Sequence, residues 1–309
     1  MYIPEHEVRE LLTFDALIPA IREALIDFSA GRVIQPARMI LRAGNAEGYN
    51  NGWFAVMPVI AGDVMAVKSV TYFPGNAALG LHTHMATIEL KSRQTGEPLA
   101  VMDGRLITEM RTAAVSAVAL EALAPALFPA GPVSLGVLGS GVQARSHLKA
   151  LRMVCPTLRD VRIWSRTRAN AERLASETGA RAASIDDASS ADVVLAATSS
   201  PTPVLEGRRL AGRAVILAVG AVGATLRELD DEAMRTSWLV AESRDAAERE
   251  AGDVVLSGAR VKAEIGEVLA DSLPAGVAMP REGRILFKSI GMGVEDLAGA
   301  RLVWSAKNA

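Results

Sequence analysis

The stretch that most constrains this chain is Val133-Ser-Leu-Gly-Val-Leu, followed at once by Gly139-Ser-Gly-Val-Gln-Ala. The first six residues read as a buried strand, and the second six open a helix whose apolar spacing runs to about Met153. Strand, glycine turn and helix in direct succession open a βαβ unit. Gly139 permits the tight turn, and Gly141 lets a backbone approach a ligand without a Cβ in the way. Ala144 lets helix and strand pack closely. The helix N-terminus offers N–H groups and partial positive charge to a phosphate. Gly139-x-Gly141-x-x-Ala144, with Val142 and Gln143 in the turn, is therefore a dinucleotide-binding fingerprint in its proper context. A glycine-rich turn in a cofactor-free α/β protein has the same spacing, so the residues that follow must decide.

Val161-Arg-Ile-Trp, Ala191-Asp-Val-Val-Leu-Ala-Ala-Thr, Arg213-Ala-Val-Ile-Leu-Ala-Val-Gly and Trp238-Leu-Val-Ala-Glu read as four more strands, with a helix over 168–178. Strands alternating with helices imply an α/β fold: a Rossmann-type, doubly wound parallel sheet. We place it over residues 116–291, and Thr198, Val219 and Gly220 at the ends of its later strands are further cofactor-binding candidates. Residues 1–115 form a mixed α+β domain. It opens with helix over 4–30, closed by Gly31, and continues through β-prone stretches over 34–106. An Ala-rich helix then runs over 107–123, which Pro125 and Pro129 end. From Met292 the tail is again helical (Val294, Leu297, Ala298, Leu302), and residues 292–309 could complete the first domain.

Composition excludes several classes of function. Lys and Arg total 33 against 35 Asp and Glu, and aromatics are 4%. No basic excess and few rings argue against nucleic acid. Cys155 is the single cysteine, so neither a disulfide framework nor a cysteine metal cluster is available. His82-x-His84 would share one face of a strand, yet no third ligand stands at a recognisable spacing, so no metal is expected. The opening Met1-Tyr-Ile-Pro-Glu-His-Glu has no cationic stretch leading into an apolar one. The apolar run over 214–226 is too short for a bilayer, which takes ~20 residues. A cytoplasmic protein without membrane partners is the expectation.

The second strand carries a sharper clue. NAD-preferring enzymes usually place Asp or Glu at its end for the ribose 2′-OH. Here the sequence reads Trp164-Ser165-Arg166-Thr167-Arg168, with no acid before Glu172. A guanidinium flanked by Ser165 and Thr167 hydroxyls suits a 2′-phosphate. NADP(H) is expected in preference to NAD(H), which stays possible; the competing reading makes Thr167 only a helix cap.

These segments together resemble the ornithine cyclodeaminase/mu-crystallin family. The likeness is carried by Ile34-Gln-Pro-Ala-Arg38-Met, Ala66-Val-Lys68, Gly80-Leu-His-Thr83-His84-Met-Ala-Thr and the run from Leu99 through Met-Asp-Gly to Arg111-Thr112-Ala-Ala-Val-Ser. It continues through the glycine turn, Arg227-Glu-Leu-Asp-Asp, Gly252-Asp-Val-Val-Leu-Ser-Gly and Phe287-Lys-Ser-Ile-Gly-Met-Gly-Val-Glu-Asp. The resemblance implies a homodimer, with the first domain serving substrate binding and dimerisation. It implies that Arg38, Lys68 and Arg111 hold the carboxylate of a small imino or amino acid, that Thr83 and Thr112 lie on the cofactor side, and that His84 lies near the substrate as proton donor or hydrogen-bonding group. Two guanidinium forks and an ammonium suit a carboxylate that must be held in one orientation.

One departure from the family decides between its chemistries. Its cyclodeaminases carry a catalytic Asp after the strand that here ends at Gly220, and the matching residue is Val222. Valine accepts no proton, whereas reductase members resembling mu-crystallin also lack the Asp. The expectation is an NAD(P)H-dependent oxidoreductase acting on the C=N or C–N bond of a small carboxylated imine or amino acid. The alternatives are an NAD-dependent ornithine cyclodeaminase using another base, and a cofactor-binding, crystallin-like protein without useful turnover.

Overall fold

A computed structural model describes residues 1–44 and 52–309; residues 45–51, within the β-prone stretch, lie outside the described residues. The chain begins β1 (Tyr2–Ile3), α1 (Glu5–Leu11), α2 (Phe14–Ser29), β2 (Met39–Arg42), β3 (Trp53–Ala61) and β4 (Val64–Tyr72). Next come β5 (His84–Ser92), β6 (Pro98–Asp103), α3 (Arg105–Leu127), β7 (Ser134–Leu138), α4 (Val142–Val154), β8 (Asp160–Trp164) and α5 (Arg168–Thr178). After β9 (Arg181–Ala182) and α6 (Ile185–Ser189) follow β10 (Val193–Ala196), β11 (Ala214–Ala218), α7 (Asp231–Arg235) and β12 (Ser237–Ala241). The chain closes with α8 (Arg244–Glu250), α9 (Gly252–Ser257), β13 (Ala263–Glu264), α10 (Ile265–Leu269), β14 (Arg284–Lys288) and α11 (Gly293–Lys307). It divides into two compact units, Met1–Arg111 with Met292–Ala309, and Thr112–Gly291, the division falling inside α3.

In the first unit six strands run in the order β1-β6-β5-β4-β3-β2, antiparallel from β2 to β6. Alternation along β4 buries Val64, Ala66, Lys68 and Val70 on one face, as the two-residue period requires. Helix α11 packs on this sheet and on α2. The opening helix is two helices. The break comes at Leu12, and the Thr13 hydroxyl caps the second by accepting from the Ala16 N–H at 3.4 Å. A cap of this kind starts a new helix where apolar spacing alone reads straight through.

Helix α3 does not stop before Pro125 but continues to Leu127. Pro125 sits in the last turn, where it removes one intrahelical donor close to the helix end, and residues 113–120 are wholly buried and hold the helix by packing on all sides. The same burial explains why α3 has the length and apolar composition of a membrane span. The apolar run over 214–226 is strand β11 and the loop after it.

The second unit is a parallel sheet in the order β13-β12-β14-β11-β10-β7-β8-β9. The order reverses at β7, which is the point where a doubly wound sheet opens a crevice at the carboxyl ends of its strands. Strand β14 was not expected: Arg284-Ile-Leu-Phe-Lys enters between β11 and β12 and is almost entirely buried. The fold class is thus the Rossmann-type α/β fold, with a mixed α+β unit beside it in sequence.

Candidate active site

Each unit gathers its own set of sequence-predicted residues. In the first, Lys68 projects from the buried face of β4 and is 2% exposed. Its ammonium meets Asp296 Oδ2 at 2.5 Å. Arg111, also buried, donates from Nε to Asp296 Oδ1 at 3.0 Å and from Nη1 to Glu295 Oε2 at 2.6 Å. Glu295 and Asp296 stand in the first turn of α11, where negative charge also complements the helix dipole. The predicted cations are therefore braced by two buried carboxylates that sequence reasoning missed. First-turn acids are ordinary helix features; both close the Phe287-to-Asp296 segment that carries the family resemblance, the one signal that could have marked them.

Burial pushes the Lys68 pKa down to about 8; Asp296 opposes the shift, while Arg111 and Arg38 reinforce it. Arg38, just before β2, thus belongs to the same electrostatic group. Even with Asp296 in contact the ammonium is held below its ordinary range, so an added anion would stabilise it. His84 opens β5 and stacks on Tyr72 at 4.6 Å, with Trp53 at 6.2 Å. The ring keeps an exposed surface, yet desolvation by its surroundings, and then the Lys68 charge, push its pKa down to about 4. The ring is neutral at pH 7, which favours a hydrogen-bonding role over that of a stored proton. His82 lies before the strand and its carbonyl accepts from Asn76, so the two histidines do not share a strand face. Thr83, half-buried, precedes β5, and its carbonyl accepts from the Phe73 N–H.

In the second unit the glycine turn has the anatomy the sequence implied. Gly139 has φ 122°, and a Cβ there would lie 2.3 Å from the Ala197 carbonyl oxygen. Gly141, the N-cap of α4, differs: a Cβ there would meet nothing within 4 Å. Protein packing does not demand glycine at that position, and the space in front of the helix N-terminus is open. No side chain caps α4, and its first turn holds no acid. The Val142 and Gln143 N–H groups therefore fit a phosphate or pyrophosphate. Ala144 is fully buried, as close helix–strand packing requires.

Ser165 follows β8, and its hydroxyl is 2.9 Å from that of Ser140. Arg166 and Thr167 are exposed. Thr167 occupies the N-cap position of α5 but makes no side-chain cap bond, so the capping role weighed for it does not use its hydroxyl. Thr198, Val219 and Gly220 stand at the carboxyl ends of β10 and β11. Thr112, buried in α3, belongs to this unit. Cys155 is half-buried, with its sulfur 3.3 Å from Thr157 Oγ1.

His147 on α4 is fully buried. Its Nδ1 lies 2.8 Å from the Gln143 carbonyl oxygen and its Nε2 3.0 Å from Ser116 Oγ. A carbonyl only accepts, so Nδ1 carries the proton and Nε2 accepts from the Ser116 hydroxyl. Burial depresses its pKa to about 4 from the usual 6.5. The unfolded chain then takes up this proton first as pH falls. Stability is fully present above about pH 6.5 and is lost progressively towards pH 4, by on the order of 3 kcal/mol. Urea titrations between pH 7 and 5 should show this slope in the wild type and a shallower one in His147→Gln. Identical slopes would remove His147 from the acid response.

Comparison with known proteins adds to this geometry. The model of the ornithine cyclodeaminase/mu-crystallin family matches residues 1–308. Ketimine reductase mu-crystallin of Mus musculus is 40% identical over 315 residues, with 99% of this chain and 96% of that protein covered. Among solved structures, Delta(1)-pyrroline-2-carboxylate reductase of Thermococcus litoralis in complex with NADH and L-proline is 29% identical. It superposes with a TM-score of 0.89 over 100% of this chain and 97% of its own. An archaeal alanine dehydrogenase dimer with bound NAD gives a TM-score of 0.90 at 28% identity, covering 100% and 97%.

Proposed function

Since the chain belongs to the ornithine cyclodeaminase/mu-crystallin family, we propose that it is a nicotinamide-dependent oxidoreductase that reduces the C=N bond of a small carboxylated imine, a cyclic ketimine acid being the first candidate. The observation that carries this reading is Lys68, a buried ammonium held below its ordinary pKa despite its contact with Asp296. Lys68, Arg111 and Arg38 fit a substrate carboxylate, and Glu295 and Asp296 fix two of the three cations in place. A bound nicotinamide supplies the hydride. The protein's own tasks are to orient the carboxylate and to keep the nitrogen protonated, since a protonated imine accepts hydride at carbon and needs no strong base. With a pKa near 8, Lys68 retains its proton at pH 7. It is also more acidic than a solvated lysine, so it is the group of this set best matched to proton delivery.

The test is reduction of Δ1-pyrroline-2-carboxylate and Δ1-piperideine-2-carboxylate with either dinucleotide, followed by loss of the reduced cofactor and appearance of the cyclic amino acid. Turnover of neither, with cofactor bound, would favour a binding protein of the crystallin type.

For the cofactor we infer a preference for NADPH. Arg166 is exposed and makes no hydrogen bond or ion pair among the described residues, and the Thr167 hydroxyl is likewise unspent. Both follow the strand where the adenosine ribose lies in this fold. NADPH should bind at least ~10-fold more tightly than NADH, and Arg166→Asp should weaken NADPH while sparing NADH. Equilibrium titration decides, and equal affinities in the wild type would overturn the preference.

We also propose a homodimer built on the first unit. Edge strand β2 exposes Met39, Ile40 and Leu41 at 50–62%, on both of its faces and beside a strand edge that is unpaired among the described residues. A soluble monomer would normally cover such an edge. Size-exclusion chromatography with light scattering tests the assembly.

A further inference from the structure

The second unit contains a buried polar network that none of the foregoing uses. Glu228 is wholly buried. Its Oε1 accepts from the Thr198 N–H and the Thr198 hydroxyl, both at 2.6 Å. Its Oε2 accepts from the Gly220 N–H at 2.7 Å and the Ala221 N–H at 3.1 Å. One carboxylate therefore ties the chain after β10 to the chain after β11. A second tier holds the first. Asp253 Oδ1 accepts from the Glu228 and Leu229 N–H groups at 2.7 and 3.0 Å. Its Oδ2 lies 2.8 Å from the Lys288 ammonium, which also donates to the Ala221 carbonyl at 2.9 Å. Asp253 and Lys288 are both 0% exposed.

Three features separate this arrangement from ordinary core packing. First, four donors converge on one carboxylate. Only the ionised form has acceptors for all of them, since a protonated oxygen would turn a donor towards a donor. Second, Gly220 is shaped to the contact: a Cβ there would lie 2.5 Å from each Glu228 oxygen and 2.1 Å from the Thr198 carbonyl oxygen. Third, topology gives the tied segments a task. The sheet order reverses at β7, with β8 on one side and β10 then β11 on the other. In a doubly wound sheet the pyrophosphate lies at the turn after β7 and the adenosine over β8. The other nucleoside half must then lie over β10 and β11.

We propose that Glu228, backed by Asp253 and Lys288, is a positioning residue: it fixes the loops after β10 and β11 in the geometry that receives the nicotinamide half of the dinucleotide. This rests on the dinucleotide reading given above. Glu228 itself is spent on the protein's own N–H groups, so it acts through the loop backbones and not by touching the ligand.

The experiment compares a dinucleotide with its own fragment. Glu228→Gln keeps shape and volume, but whichever way the amide is turned its NH2 faces donors, and one of the two loops comes loose. Binding is measured for NADPH and NADH, and for the fragments lacking nicotinamide riboside, ADP and 2′-phospho-ADP. Expected is a loss of roughly 10- to 100-fold in dinucleotide affinity, with fragment affinity within about twofold of wild type. Retained dinucleotide affinity would overturn the proposal, and so would a parallel loss for dinucleotide and fragment, which is what general unfolding predicts. Should Glu228→Gln not fold, the double variant Asp253→Asn/Lys288→Met carries the same test. It removes the buried ion pair together and with it the Lys288 charge that favours ionised Glu228; the same selective loss is expected, and its absence is equally decisive. A wild-type protein that binds fragment but no dinucleotide more tightly would overturn the positioning role alone. One that binds neither would overturn the dinucleotide reading and this proposal with it.

Discussion

Arg111→Met should lower kcat/KM for a carboxylated cyclic imine by about 30-fold to several thousand-fold, equivalent to roughly 2–5 kcal/mol, while dinucleotide affinity stays within about twofold. The expected loss is large because the guanidinium fork is already held at two points, by Asp296 and Glu295. Little orientational entropy is left to lose when a substrate carboxylate arrives. Methionine is chosen over alanine because it fills the space of the stem. Even so, the change leaves Glu295 without its Arg111 contact, and a lowered melting temperature is expected as well. Lys68→Met should give a loss of the same order, with Asp296 retaining Arg111. Two controls keep activity and stability apart. Dinucleotide titration reports on the second unit, which contains neither residue. An analogous imine without the carboxylate should be reduced equally, and poorly, by wild type and variant. Near-wild-type kinetics in both variants would place the carboxylate-binding groups elsewhere.

What the sequence disclosed, and what it withheld, follows the range of the interactions concerned. The glycine turn and α5 were legible because their determinants are local: a strand run directly before Gly139, and a helix over 168–178 closed by Gly179 in the left-handed conformation. Lys68 was legible as a cation interrupting an apolar alternation, and it is buried on that face. Strand β14 was not, although Ile285-Leu-Phe is apolar and Gly283 precedes it; five residues carry no period that separates a buried strand from part of a helix. The boundaries at Leu12 and Pro125 were misplaced because a cap in one case and burial in the other outweighed the simpler signal. Glu228 lies in a segment that carries the family resemblance, but its role was not legible, since its partners Thr198 and Gly220 lie 30 and 8 residues away in sequence. Glu295 and Asp296 reach Arg111 across 184 and 185 residues. Local chemistry marks the candidate site residues here, while the groups that hold them in place belong to the tertiary fold.

Conversion of L-ornithine to L-proline and ammonia should be negligible in a preparation that reduces a cyclic ketimine acid readily. Cyclodeamination has to deprotonate an amine or a water within the site, and loss of the base for such a step costs ~10²–10⁴ in rate. The position matching the family's catalytic Asp is Val222, half-buried in the loop after β11. The fold offers no easy substitute from the same loop. Glu228 and Asp253 are the carboxylates beneath it, and both are already committed, the first to four donors and the second to two N–H groups and Lys288. The residue before Val222 is equally constrained, because the Ala221 N–H and carbonyl are both bonded to this network. Reduction makes a smaller demand, needing only an oriented, protonated imine and a hydride. Val222→Asp should therefore gain little cyclodeaminase activity, since a carboxylate alone does not rebuild the surrounding loop. Parallel assays of ammonia release, proline formation and cofactor oxidation decide the question. Brisk proline formation stimulated by NAD would refute the reductase reading and transfer the role of base to another group, with His84, neutral at pH 7, the first to be replaced.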